Sequence, residues 1–297
     1  MITTPEGPTM TRPTSSETAV VLVHGAWHSA LHWAATQRAL AHHGLAAVAV
    51  DLPGSGLGAP VPTGYFQPGQ PGLADEKSAL SDATLDQAAD VVLDALATAR
   101  TRFRNVVLVA HSAGGAPASA AAERAPELVD HLVYLSAFVP AGRPRFADYI
   151  EAEENAGAVH IPPIGDPAEL GAFRINPLSA DPDHVDTIRR SFLNDLPATA
   201  PDSWRQFLHP DQPLANAVTP VPVSPQRWGR IARTFIRLTD DQALPTSTQD
   251  LMIEEADQVV PDLPMRVRSL PGGHSPFVTR PAELAAVLTT TALQKTG

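Results

Sequence analysis

Short apolar runs alternate along the chain with longer segments whose apolar positions recur at helical spacing. The apolar runs lie at 19–23, 46–50, 106–110, 132–138, 234–238 and 266–270. The helical patterns lie around 31–43, 84–100, 114–125, 247–257 and 281–293. Continuous apolar strands separated by helices are typical of a parallel sheet covered on both faces, so the pattern predicts a doubly wound α/β fold. The last two runs alternate more and are expected nearer an edge.

The segment 140–229 interrupts this alternation. It is rich in proline and shows no clear buried strand, whereas its parts 181–196 and 201–210 have helical patterns. We expect a helical insertion that forms a cap over the strand ends and divides the core into residues 18–139 and 230–297. A plain surface excursion is the alternative.

The composition of the chain excludes some kinds of site and of binding partner. The 297 residues include no cysteine, which excludes disulfides and thiolate zinc sites and fits a reducing, cytoplasmic compartment. The formal net charge of −11 argues against binding to nucleic acid or to an anionic membrane. Residues 1–17, rich in Thr, Pro and Ser, lack the apolar stretch of a signal peptide and predict a disordered tail. The Ala-rich, Pro-rich composition suggests a bacterial source. The sequence leaves the oligomeric state open, and a homodimer is one option.

The three residue types that acyl transfer needs follow three different apolar runs. Ser112 follows the third run and His274 follows the sixth. An acid, Asp240 or Asp241, follows the fifth. Because ligands bind at the carboxyl ends of parallel strands, these positions predict a nucleophile, a base and an orienting carboxylate in one site.

The surroundings of Ser112 are typical of a sharp strand-to-helix turn. Residues two positions away must be small, and here they are Ala110, where glycine is usual, and Gly114. A helix that begins after the turn offers free backbone N–H groups to a developing oxyanion, so Ala113 is one candidate donor. The loop after the first run supplies the other, Ala26. The alternative is that Ser112 only caps the helix.

These motifs resemble the α/β-hydrolase superfamily, and within it the branch of plant methyl esterases and hydroxynitrile lyases with its bacterial relatives. The resemblance rests on VLVHGAWHSALHW, VVLVAHSAGG, LTDDQALP and GGHSPF, and covers residues 18–139 and 230–295. It implies a six-stranded parallel core with a helical cap.

The resemblance also implies roles for single residues. Ser112 matches the nucleophile, His274 the base and Asp241 the acid, with Asp240 as its rival, while Ala26 and Ala113 match the oxyanion donors. The lyases of the branch carry a lysine directly after the catalytic histidine. This chain has a serine there, which favours hydrolysis.

Other aromatic and histidine residues carry weaker expectations. Trp27, Phe138 and Trp228 are candidates to contact the substrate. His24 is expected to be a structural hydrogen-bond donor rather than a catalytic group, and His111 is expected to point away from the site. No pair of histidines has metal-ligand spacing, so we expect neither a metal nor a cofactor.

The sequence therefore favours a cofactor-independent serine hydrolase that acts on a small or medium apolar carboxylic ester through an acyl-enzyme. A tailoring enzyme of secondary metabolism that performs elimination, cyclisation or C–C cleavage with the same triad is the alternative. A ligand-binding receptor that retains a vestigial triad is a further one.

Overall fold

The computed structural model describes residues 14–197 and 199–294. Of the predicted tail, residues 1–17, the first 13 residues lie outside the described part. Ser15–Glu17 form a 3₁₀ turn rather than a disordered end. The strands of the described part, in chain order, are β1 (Thr18–Val23), β2 (Ala46–Val50), β3 (Asn105–Ser112), β4 (His131–Ala137), β5 (Ala172–Arg174), β6 (Asp211–Pro213), β7 (Ala232–Leu238) and β8 (Arg266–Leu270).

A six-stranded parallel sheet forms the centre of the molecule and confirms the predicted fold class. Its strand order is β2-β1-β3-β4-β7-β8, and every neighbouring pair is parallel. All six predicted strands are present. Strand β8 lies at one edge with its first four residues exposed, which explains its alternating sequence, and β7 lies next to it.

Helices cover both faces of this sheet. The helices of the described part, in chain order, are α1 (Ala34–His42), α2 (Leu85–Arg100), α3 (Gly115–Arg124), α4 (Phe146–Ile150), α5 (Pro167–Leu170), α6 (Pro182–Leu193), α7 (Ala215–Val218), α8 (Thr246–Val259), α9 (Pro276–Thr279) and α10 (Pro281–Ala292). Helices α2, α3 and α8 pack on one face of the sheet, and α1 and α10 pack on the other. None of the helices in the described ranges is long and apolar enough to span a bilayer. The helical pattern at 201–210 forms only a 3₁₀ turn, Asp202–Gln206, because prolines bound it closely on both sides.

The core consists of two apolar layers, one on each face of the sheet. Strand β3 supplies both: Leu108 and Ala110 lie in one layer, and Val107 and Val109 lie in the other. Successive side chains of a strand point to opposite faces, so a strand buried on both faces must be apolar at every position. This requirement explains the unbroken run that the sequence shows.

The inserted segment, residues 140–229, contains α4 to α7 and also a small antiparallel sheet in which β5 pairs with β6. The expectation of a segment without a buried strand is therefore wrong. Each of these strands has only three residues, which is too short to produce a recognisable alternation of apolar and polar positions.

A buried ion pair fastens this small sheet to the rest of the chain. The guanidinium of Arg174 donates to both carboxylate oxygens of Asp211, at 2.6 and 2.8 Å, and both side chains are almost completely buried. Its remaining terminal nitrogen donates to the carbonyl oxygens of Leu73 and Glu76, at 2.7 and 2.9 Å. The loop before α2 is thereby joined to the inserted segment.

We expect Asp211→Ala to lower the free energy of unfolding by about 3–5 kcal/mol, because it leaves a buried guanidinium without its counter-charge. The double variant Arg174→Met, Asp211→Leu should cost much less, since it buries no unpaired charge. Urea unfolding followed by circular dichroism measures both. The exposed pair of Arg124 and Asp90 gives the control, and Asp90→Ala should cost about 0–1 kcal/mol. Equal losses in Asp211→Ala and Asp90→Ala would contradict the prediction.

Candidate active site

Ser112 lies on a strained turn at the end of β3. Its φ angle is +52°, a left-handed conformation that residues other than glycine rarely adopt. Gly114 makes the turn possible, because a Cβ there would lie 2.3 Å from the carbonyl oxygen of His24. A Cβ on Gly25 would lie 2.7 Å from the Ser112 Cβ. Ala110 is completely buried beside this turn, and the turn forms with alanine where glycine is usual.

His274 and Asp241 form a buried hydrogen-bonded pair. The imidazole Nδ1–H donates to Asp241 Oδ2 at 2.7 Å, and both side chains are almost inaccessible to solvent. The other carboxylate oxygen, Oδ1, accepts the backbone N–H groups of Ala243 and Leu244, each at 2.8 Å. These bonds fix the carboxylate and leave Nε2 as the free nitrogen of the ring.

The two adjacent aspartates that spacing could not separate have different partners. Asp240 is exposed, and its Oδ2 accepts the backbone N–H of Gly272 at 3.0 Å. It therefore ties two loops together, while Asp241 turns inward to His274.

Sequence reasoning missed Ser136. Its hydroxyl donates to Asp241 Oδ2 at 2.6 Å, and its side chain is completely buried. Its φ angle of +38° accompanies an irregularity where β3 pairs with β4. A polar residue at the end of a strand would have marked a candidate for the site. Because the apolar run continues to residue 138, Ser136 was placed inside the strand and not at its end.

Ser112, His274, Ala26 and Ala113 line one cavity of about 420 Å³. Within the described part of the chain, the amide N–H groups of Ala26 and Ala113 have no hydrogen-bond acceptor. The cavity therefore contains a hydroxyl, an imidazole and two free backbone donors.

Most of the remaining cavity wall is apolar. Its larger apolar side chains, most of them from the inserted segment, are Trp27, Phe146, Ile150, Val159, Ile161, Phe173, Ile175, Phe192 and Leu244. The Phe192 ring stacks on His274 with centroids 5.9 Å apart. Such a wall admits an apolar ligand.

Phe138 and Trp228 do not line this cavity, which corrects the expectation that they contact the ligand. Both side chains are completely buried in the core. The Trp228 indole N–H donates to the hydroxyl of Tyr134 at 2.7 Å, and Phe138 packs against Tyr149. The sequence places both residues near the ends of the inserted segment, but it does not show in which direction their side chains point.

The neighbouring histidines brace the loop after β1. His24 Nδ1–H donates to the Gly25 carbonyl oxygen at 2.8 Å, and its Nε2 accepts the N–H of Leu52. His111 Nε2–H donates to the carbonyl oxygen of His274 at 2.9 Å. Burial lowers the pKa of His24 to about 4 and that of His111 well below its usual value, so both are neutral at pH 7.

No group of three or more His, Asp or Glu residues within 14–197 and 199–294 is arranged to hold a metal ion.

A doubly wound parallel sheet with a strained serine at the end of a central strand, and an imidazole–carboxylate pair beside it, defines the class of α/β hydrolases. Residues 20–287 match the family model described as the alpha/beta hydrolase family. The chain belongs to this family, which confirms the resemblance found in its motifs.

Similar proteins carry esterase and hydrolase names. The chain is 28% identical over 272 residues to a pyrethroid hydrolase of Sphingobium wenxiniae, covering 91% of this chain and 86% of that one. It is 26% identical over 273 residues to methylesterase 1 of Arabidopsis thaliana, covering 89% and 92%. A crystal structure of a pyrethroid hydrolase superposes with a TM-score of 0.69 at 26% identity, covering 93% of this chain and 97% of that one. Polyneuridine aldehyde esterase shares the fold, with a TM-score of 0.68 at 21% identity and coverage of 93% and 99%.

The buried neutral histidines predict a loss of stability in acid. Burial lowers the pKa of His24, His32 and His131 to about 4, whereas an unfolded histidine titrates near 6.5. Between these values the unfolded chain binds protons that the folded chain does not. Stability is therefore complete above pH 6.5 and falls as the pH drops towards 4, by about 1.4 kcal/mol per pH unit for each histidine.

Urea unfolding midpoints measured from pH 7.5 to 4.5 test this prediction. His32→Gln should flatten the dependence, and the exposed His42→Gln should leave it unchanged. A midpoint that stays constant over this range would contradict it.

Proposed function

We propose that this chain is a cofactor-independent serine hydrolase that cleaves carboxylic esters through an acyl-enzyme. The observation that carries the proposal is that His274, hydrogen-bonded to Asp241, lines the same cavity as the strained Ser112. The esterase and hydrolase names of similar proteins support the same reaction class.

The first half of the reaction forms the acyl-enzyme. Ser112 Oγ attacks the ester carbonyl carbon while His274 Nε2 takes the hydroxyl proton. The carbonyl oxygen becomes an oxyanion and accepts the N–H groups of Ala26 and Ala113. When the bond between the carbonyl carbon and the alkoxy oxygen breaks, His274 returns its proton to the leaving alcohol.

Water completes the reaction on the same groups. His274 Nε2 takes a proton from a water molecule, which attacks the acyl carbonyl carbon. The second tetrahedral intermediate uses the same two amide donors, and its collapse releases the carboxylic acid. Ser112 recovers its proton from His274, so the enzyme returns to its starting state.

Asp241 is the triad acid in this proposal. Its bond to Nδ1–H holds the tautomer in which Nε2 is free, and it stabilises the imidazolium that forms when Ser112 loses its proton. The Ser136 hydroxyl and two backbone amides keep its oxygens occupied, so the carboxylate has one orientation. Ser136 is a positioning residue that acts through Asp241.

The inserted segment acts as the cap of the site. It contributes Phe146, Ile150, Phe173 and Phe192 to the cavity wall. A cavity of this volume with a largely apolar wall fits a small or medium ester and shields the acyl-enzyme from bulk water.

Ser112→Ala should lower kcat for p-nitrophenyl esters, from acetate to decanoate, by at least about 10³-fold, because the nucleophile is lost. Spectrophotometric assays of both proteins measure this, and the chain-length optimum of the wild type reports the size of the site. An organophosphonate should label the wild type and not the variant, as mass spectrometry would show. If Ser112→Ala kept most of its turnover while His274→Ala lost it, the chemistry would be general-base catalysis without an acyl-enzyme.

The adjacent aspartates supply a matched pair of variants. Asp241→Asn should lower kcat by about 10⁴-fold, because the amide favours the wrong imidazole tautomer. Asp240→Asn should stay within a few-fold of the wild type, because this residue is exposed and contacts neither Ser112 nor His274. Steady-state kinetics on one ester compares them. Equal losses in the two variants would remove Asp241 from the proposed triad.

A further inference from the structure

The apolar cavity also contains polar side chains that the protein itself leaves unpaired. Asn216 is only 5% exposed and lines the cavity, yet its side-chain amide has no hydrogen-bond partner among the described residues. Gln212 is 9% exposed and lines the same cavity. Amide groups that line a cavity without a protein partner are free to pair with a ligand.

The amide of Gln212 has a fixed orientation. Its Oε1 accepts the backbone N–H of Trp27 at 3.2 Å, and only the oxygen of an amide can accept. The NH₂ group is therefore the end without a partner, and it is a donor. A ligand atom that pairs with it must be an acceptor.

Trp27 connects Gln212, which carries this donor, to the loop of the proposed oxyanion donor Ala26. It follows Ala26 directly and has a φ angle of +59°. Its carbonyl oxygen accepts the N–H of His209 at 2.9 Å, and its indole N–H donates to the carbonyl oxygen of Phe173 at 3.0 Å. Three bonds thus hold the residue next to the proposed oxyanion donor against the inserted segment that carries Gln212.

Gln212 and Asn216 come from one continuous piece of chain, the end of β6 and the helix α7 that follows it. We call this pair the amide wall. Ser191, a third unpaired polar residue of the cavity, lies on α6, next to the Phe192 that stacks on His274. It therefore belongs to a different element of the cavity wall.

We propose that the amide wall binds an oxygen acceptor, a carbonyl or an ether, that the substrate carries in addition to its scissile ester. This inference rests on the proposed function and narrows its substrate class. A simple alkyl ester fills the apolar part of the cavity and leaves both amides unpaired. An ester with a second oxygen function offers an acceptor to their NH₂ groups and is the preferred substrate.

Matched esters test the amide wall. Methyl octanoate, methyl 3-oxo-octanoate and methyl 5-oxo-octanoate differ only in the second oxygen and its position, and their hydrolysis is followed in a pH-stat. Because an oxo group near the ester also activates it chemically, the readout is the ratio of kcat/KM for oxo and plain ester, compared between variants. That comparison cancels the intrinsic reactivity.

Asn216→Leu replaces the amide by an apolar group of similar shape. It should lower the ratio for at least one oxo ester by about tenfold, mainly through a higher KM for that ester. Gln212→Glu keeps an oxygen for the N–H of Trp27 but replaces the NH₂ donor, so it should lower the ratio as well. Ser191→Ala is the control and should leave the ratio unchanged.

Binding to the Ser112→Ala protein separates this inference from the proposed reaction. Calorimetry should show tighter binding of an oxo ester than of methyl octanoate to Ser112→Ala, and the difference should vanish in Ser112→Ala, Asn216→Leu. If the wild type cleaves no ester, the proposed function fails, while this binding difference still tests the amide wall. Equal binding, an unchanged ratio in Asn216→Leu, or a ratio that responds to Ser191→Ala alone would overturn the inference.

Discussion

The tight backbone contact around Ser112 is the constraint on which the site depends. The loop after β1 and the start of α3 approach the serine so closely that a Cβ on Gly25 or Gly114 would overlap with neighbouring atoms. That approach brings Ala26 and Ala113 to the cavity and holds Ser112 at a positive φ. The stability of the surrounding sheet offsets the strain, because β3 lies at its centre and is buried on both faces.

A second constraint acts on the loop after β1 from the opposite side. His24, the first residue of this loop, is buried and neutral, and its Nε2 accepts the backbone N–H of Leu52 after β2. The inserted segment holds Trp27 through hydrogen bonds to Gln212 and Phe173. The loop is thus held between the core and the inserted segment. The position of the Ala26 amide therefore depends on both the core and the inserted segment. Ser112 and His274, in contrast, follow strands of the central sheet.

The sequence predicted the parts of this structure that follow from periodicity and from strand ends. The six strands could be inferred from their apolar runs, and the places of Ser112 and His274 could be inferred because each directly follows such a run. Asp241 could not be separated from Asp240, since adjacent residues of a turn differ only in the direction of their side chains. Ser136 was hidden because the apolar pattern continues past it. Strands β5 and β6 were too short to show a pattern, and Phe138 and Trp228 turn into the core.

The ion pair of Arg174 and Asp211 has a consequence for how the enzyme exchanges its ligands. One guanidinium joins both strands of the small sheet to the loop at Leu73 and Glu76, in a place that water does not reach. Lifting this part of the inserted segment as a rigid lid would keep Arg174 paired with Asp211, but it would break the two hydrogen bonds from Arg174 to the carbonyl oxygens of Leu73 and Glu76. Movements of single side chains in the cavity wall leave these bonds intact. The inserted segment is then a fixed frame. Individual residues of the cavity wall can be exchanged on it while the reacting groups keep their positions.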